Sequence, residues 1–376
     1  MVAADDPAAT VMRLPAEARC ADELLALRAA DRFPRPPGWQ LSPRGVETFI
    51  LGSDTPLPAR AGSGTVRITP KFVGDRRLVQ VAIATLASDR ALMLAGEPGT
   101  AKSWLGEHLA AAISGTSQLV VQGTAGTTEE QVKYSWNYAL LIAEGPSRRA
   151  LVEGPILRGM QRGQVVRFEE LTRCAAEVQD ALISVLSEKQ VAIPELDEIV
   201  PARRGFAVIA TANTRDRGVN EMSSALKRRF NFVTIPVLAD VEQEALIVER
   251  RSRELLGEQA SAAPVPRDLT RLLASVFAEL RRGQTLDGKS KLKSPSSILS
   301  TAELISVVAH GALLGSFFGH GAPSVRDCFA GLVGTVAKEN PADLEVLKEY
   351  LETAVKPRRD GLWPEFYRAG HEVLGS

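Results

Sequence analysis

The sequence predicts an α/β fold: a mostly parallel sheet covered on both faces by helices, followed by a helical C-terminal region. Three observations predict it. Short apolar runs at 91–95, 119–121, 165–168, 206–210 and 232–235 alternate with helical patterns such as 178–186, the rhythm of strands joined by helical crossovers. A glycine-rich stretch, GEPGTAKS at 96–103, separates the strand-like ALMLA from the helical run WLGEHLAAAIS. Beyond Pro236 the strand-like runs stop and helical periodicity continues to the end.

These patterns divide the 376 residues into a helical accessory segment (1–70), an α/β core (71–238) and a helical lid with C-terminal helices (239–376). In the first segment Leu24, Leu25 and Leu27 mark a helix, FPRPPGW with Trp39 a turn, Val46 to Leu51 a second apolar run, and ARAGSGT (59–65) a linker. The core opens on an amphipathic helix, with Leu78, Val81, Ala82 and Leu86 on one face. In the last segment RRGQTLDGKSKLK (281–293) reads as a solvated basic loop.

Composition narrows the function. Lys and Arg together number 45 and balance 45 Asp and Glu, so the chain lacks the basic excess of a protein that lives on nucleic acid. Cys20, Cys174 and Cys328 form no CxxC pair, which speaks against a disulfide framework and for a reducing, cytoplasmic setting. MVAADDPAAT is too acidic for a signal or transit peptide. The apolar run from Leu304 to Phe318 is interrupted by His310, Gly311 and Gly315 and is expected to be a buried helix rather than a membrane span. His310 and His320 read as packing or capping residues.

The stretch at 96–103 carries the chemistry. A phosphate-binding loop needs glycines so that backbone N–H groups close around the β-phosphate, a lysine to reach the β and γ oxygens, and a hydroxyl to hold Mg²⁺. Gly96, Gly99, Lys102 and Ser103 supply these parts, while Ala101 stands where the usual pattern has glycine. An acidic element at a neighbouring strand end is then required for the cation and for the attacking water. VVRFEEL (165–171) provides Glu169, in the place usually held by aspartate, and Glu170. The strand at 206–210 runs on to Asn213, whose amide suits a water or a γ-phosphate, and Lys227, Arg228 and Arg229 stand before the last strand.

The four elements in this order resemble the AAA+ ATPases, and more narrowly the MoxR-like branch with its dynein-related relatives. VGDRRLV (73–79), EGPILRGMQRGQVVRFEELTRC (153–174) and IPELDEIVPARRGFAVIATANT (193–214) carry the closer likeness. The resemblance implies that Gly96, Glu97, Pro98, Gly99, Thr100, Ala101, Lys102, Ser103 and Trp104 bind ATP, and that Val73 and Gly74 line the adenine pocket. It also implies that Ser103 and Glu169 hold Mg²⁺, that Glu170 polarises water, and that Asn213 is a sensor. Arg229, with Arg228 as alternative, is implied to be a finger acting on a neighbouring subunit. Lids of this family often carry an S-P-R segment, where this chain has Ser296 after Lys293 and Ser294. The implied function is a ring, hexameric by family habit, whose ATP hydrolysis remodels a client protein beside a partner with a von Willebrand A domain. The alternatives are an ATP-gated scaffold with little turnover and a nucleic-acid translocase.

Overall fold

Five strands, Ala91–Gly96 (β1), Val120–Gln122 (β2), Val165–Glu169 (β3), Ala207–Asn213 (β4) and Phe230–Ile235 (β5), pair in parallel in the order β5-β1-β4-β3-β2. The computed structural model describes residues 11–59, 64–213, 220–257, 265–296, 299–319, 321–338 and 340–375. Most of the expected linker at 59–65, and His320, lie outside the described residues.

The predicted sheet is present, and its central strands Ala91–Gly96 and Ala207–Asn213 are almost wholly apolar and buried because both faces are covered. Alternate residues separate cleanly: Leu92, Leu94, Val165, Ala207 and Ile209 enter one core cluster, and Ala91, Met93, Val166, Phe168, Val208 and Ala210 enter the other. The first face is covered by Ala21–Ala30 (α1), Pro43–Leu51 (α2), Arg76–Leu86 (α3) and Lys102–Ser114 (α4), the second by Pro155–Arg162 (α5) and Ala176–Glu188 (α6). The apolar run at 46–51 is thus a helix, started by Ser42, whose hydroxyl accepts from Gly45 N, and by Pro43 in the first turn. Trp39, Leu41, Val46, Phe49 and Ile50 share a buried cluster with Leu105 and Leu109 of α4. Two antiparallel hairpins, Tyr134–Trp136 with Leu151–Glu153 and Gln190–Ile193 with Glu198–Pro201, project from the crossovers.

The chain divides into two compact units, one of residues up to Glu97 with Ala101–Ile235 and the other of Pro98–Thr100 with Pro236 onward. The second unit is helical as expected, with Val241–Leu256 (α7), Arg267–Arg282 (α8), Thr301–Phe318 (α9), Val325–Ala337 (α10) and Trp363–Leu374 (α11) around one core. Its buried Glu279 accepts from Tyr350 Oη at 2.7 Å, Arg358 Nη2 at 2.7 Å and Leu286 N at 2.8 Å, so a carboxylate without water is fully satisfied.

Two expectations change here. Arg281 is no solvated loop residue: it lies in the last turn of α8 and donates to the buried Glu244 at 2.8 Å. The helix that carries the apolar run at 304–318 begins earlier, at Thr301, so α9 reaches 18 residues with mean hydropathy 1.4, enough by length and composition to cross a membrane. Its Leu304, Val307, Val308 and Ala312 lie in the core of the second unit, whereas Phe317 and Phe318 stand 62% and 85% exposed. Only one face of the helix is buried.

Candidate active site

Parallel pairing places every strand's carboxyl end on one edge, and the register decides which residues meet there. Asn213 pairs beside Gly96, and Glu169 beside Gln122. From Gly96 the chain turns through Glu97, Pro98, Gly99 and Thr100, all half-buried, into α4, whose first residues are Lys102, Ser103 and Trp104. Gly99 has φ +75° and Ala101 φ +66°, both in the left-handed region. Such turns direct successive N–H groups into one concavity at a helix N-terminus, a ready anion site.

Lys102 is buried and its Nζ donates to the carbonyls of Gly96 at 3.1 Å and Glu97 at 2.7 Å. Burial pulls its pKa down, against the nearby carboxylates of Glu170, Glu169 and Glu97, which favour the ammonium. A polyanion in the loop would oppose that shift by favouring the ammonium further. Trp104 Nε1 donates to Lys71 O at 2.8 Å, which ties the start of α4 to the chain two residues before Val73 and Gly74.

Glu169, at the end of β3, is buried and collects three side-chain donors. Ser103 Oγ donates to its Oε2 at 2.6 Å, Thr211 Oγ1 to the same oxygen at 2.9 Å, and Arg167 Nη1 to Oε1 at 2.9 Å. A hydroxyl whose proton is committed to a carboxylate presents only lone pairs outward, so Ser103 and Glu169 form a donor set that suits a hard cation. Glu170 follows in left-handed backbone, φ +54°, with its N–H donating to Thr211 Oγ1 at 2.8 Å. Its carboxylate is within 3.4 Å of Asn213 Nδ2 and is ion-paired with Arg173. The structure therefore brings together Lys102, Ser103, Glu169, Glu170 and Asn213.

Comparison with known proteins assigns these residues to a family. Residues 91–230 match the AAA domain of the dynein-related subfamily, and 242–373 match the YehL-like AAA+ ATPase C-terminal domain. The protein YehL of Escherichia coli K12 is 44% identical over 366 residues, 96% of this chain and 98% of the relative. The chain belongs to the YehL-like AAA+ ATPases. Midasin of Giardia intestinalis is 31% identical over 139 residues, 35% of this chain and 3% of its own length. Among solved structures, NtrX of Brucella abortus in complex with ADP aligns at a TM-score of 0.46 with 14% identity, over 81% of this chain and 66% of that one. The resemblance read from the motifs holds, and the sheet, flanking helices and helical C-terminal region are those of this AAA+ family.

In this AAA+ chain Arg228 and Arg229 stand apart from the other predicted residues. Phe230 pairs with Ala91, the first residue of β1, so both arginines lie at the amino edge of the sheet. The phosphate loop leaves the opposite edge, about 17 Å away for five residues of strand. Arg229 donates from Nε to Ser187 Oγ at 2.8 Å and from Nη1 to Ala225 O at 2.9 Å, while Arg228 is exposed. In the helical unit Ser296 N donates to Asp343 Oδ2 at 2.8 Å and Lys293 Nζ to Glu349 Oε2 at 2.5 Å.

Sequence reasoning missed Arg167, Thr211 and Arg173. Each follows from a simple rule once strands are assigned: 167 shares a strand face with 169, 211 shares one with 213, and 173 is one turn after 170. Gly123 was missed too. Its N–H donates to Glu169 O at 2.7 Å, and a Cβ there would fall 2.4 Å from Glu170 O and 2.8 Å from Glu169 O.

Proposed function

We propose that this chain is a Mg²⁺-dependent ATPase whose hydrolysis, at interfaces between copies in a ring, remodels a partner protein. The observation that carries the reading is the meeting of Ser103, Glu169, Glu170 and Asn213 at the strand ends beside the loop that holds Lys102. In this reading Lys102 and the N–H groups at 96–103 take the phosphates, and Trp104, Val73 and Gly74 border the base. Ser103 and Glu169 hold the cation, which when bound supplies charge neutralisation to the triphosphate. Glu170 orients the attacking water, and Asn213, through its amide, holds Glu170 and reports on the γ-phosphate.

A protein partner is supported by the segment on the first hairpin. Helix Tyr138–Glu144 buries none of its residues, although it reads YALLIAE, and Ile142 is 87% exposed. A client with or without a von Willebrand A companion, a hexameric ring and a cytoplasmic setting are carried into the proposal on resemblance and composition. The balanced charge disfavours nucleic acid.

Phosphate release with and without Mg²⁺ tests the reading. Glu170→Gln is expected to lower turnover by about 10²–10⁴-fold, the contribution of a positioned acid or base, while ATP still binds. A wild type that binds ATP and releases no phosphate, with or without partner, establishes the scaffold reading instead. One observation favours that second reading: Glu170 is already engaged by both Arg173 and Asn213.

A further inference from the structure

Resting on the ATPase reading above, we propose that Arg167 is the positioning residue that lets a glutamate serve at the cation-side carboxylate. Compared with aspartate, Glu169 has one more rotatable bond, and a longer side chain at the end of β3 has more ways to miss Ser103. Arg167 removes that freedom by taking Oε1, at 2.9 Å, so that Oε2 is turned to the Ser103 and Thr211 hydroxyls. The pair is nearly closed to solvent, with 13% of the Arg167 and 9% of the Glu169 side chain exposed, so the contact is little screened.

The guanidinium is itself fixed. Its Nε donates to Ser117 O at 3.1 Å and its Nη1 lies 3.5 Å from Ser103 O, so one planar group spans the strand, the start of α4 and the loop after it. The stem runs beneath Gly106 of α4, where a Cβ would come within 3.9 Å of Arg167 Cδ. A strand that is otherwise apolar, Val165, Val166 and Phe168, thus carries one cation, two residues before the acid on the same face. Lysine is a point charge on a flexible stem and cannot make this planar set of contacts. Orienting partners of this kind are worth 10–100-fold in cation affinity where they have been removed.

The experiment measures Mn²⁺ binding by electron paramagnetic resonance in the presence of a non-hydrolysable ATP analogue, for the full chain and for Arg167→Met, Arg167→Lys, Glu169→Ala and the Arg167→Met/Glu169→Ala double variant. Arg167→Met is expected to weaken Mn²⁺ by about 10–100-fold, with analogue binding in EDTA unchanged. Arg167→Lys, which keeps the charge and serves if Arg167→Met fails to fold, is expected to recover part of the loss. In the Glu169→Ala background Arg167→Met is expected to add nothing, because Arg167 acts through Glu169. Mn²⁺ affinity equal to wild type in Arg167→Met, or in Arg167→Lys where Arg167→Met does not fold, overturns the inference alone, as does full additivity in the double variant. A wild type that binds no analogue overturns the ATPase reading, and this inference with it.

Discussion

The backbone at position 101 is left-handed, φ +66° and ψ +24°, and the residue there is alanine. The cost of the alanine lies in the torsion itself, because a Cβ in this region meets the following carbonyl, at roughly 1–2 kcal/mol. Glycine would relieve it. Ala101→Gly is therefore expected to raise the unfolding free energy of the sheet-containing unit by about 1 kcal/mol in urea titration, whereas at an ordinary φ it would lower it. Glu170, at φ +54°, bears the same strain and cannot be relieved without losing its carboxylate. A strained residue held at a site is the usual place for such a cost. Lys102, Ser103, Glu169 and Glu170 were legible in the sequence because each belongs to a short motif beside a strand. Arg167 becomes legible only once the strand is assigned, as the residue two before Glu169 on the same face, whereas Thr211 and Gly123 depend on the register that sets Gln122 beside Glu169 and Ala210 beside Phe168. No local spacing encodes that register.

At the scale of elements, α4 is clamped by the segment that precedes the core. Burial opposes ionisation of Glu107, yet Arg19 and Arg13, at 2.6 and 2.7 Å, hold its carboxyl below the usual range. Glu17 accepts from Ser117 N and Oγ at the far end of α4, and Lys71 pairs with Glu23. These partners lie 48 to 100 residues apart in sequence, so the apolar pattern showed a helical stretch near Pro15 to Ala30 but not what it grips. Inside the clamp His108 is buried against Trp104 and Phe49, its Nδ1 2.7 Å from Trp104 O and its Nε2 without a hydrogen-bond partner. Burial lowers its pKa to about 4, with Arg19 and Lys71 adding to the effect against Glu107 and the Trp104 carbonyl. Between pH 6.5 and 4 the unfolded chain therefore binds a proton that the native chain refuses, and stability falls as pH falls. His108→Leu is expected to lower stability at pH 7 by about 1 kcal/mol through the lost bond to Trp104 O. It is also expected to shrink the loss between pH 7 and pH 5 by about 2 kcal/mol. Glu17 and Glu47 titrate below their usual range in both proteins, so the difference between the two denaturation series reports His108 together with its charge coupling to Glu107. An identical pH dependence would show that the imidazole is solvated.

At the scale of the whole molecule, the placement of Arg228 and Arg229 turns a sequence expectation into a geometric argument. They lie at the amino edge of the sheet while the phosphate loop lies at the carboxyl edge of the same strands. Within one sheet of this unit they cannot meet a triphosphate bound beside Lys102. If either acts on a triphosphate, that triphosphate belongs to another copy, which is what a ring supplies. Arg229 is the better placed, because its contacts to Ser187 and Ala225 hold it against α6, and pre-organisation lowers the entropic cost of a charged contact. Arg229→Ala and Glu170→Gln are each expected to be inactive, the first by about 10³-fold or more where a finger is required. Mixed in equal amounts and allowed to exchange, the two are expected to regain about a quarter of wild-type turnover, since a site needs an intact Glu170 from one copy and an intact Arg229 from its neighbour. Phosphate release from the mixture decides the matter. No recovery above the sum of the separate variants, with exchange confirmed by differently labelled copies, would place both residues' work in a single chain and remove the reason for a ring.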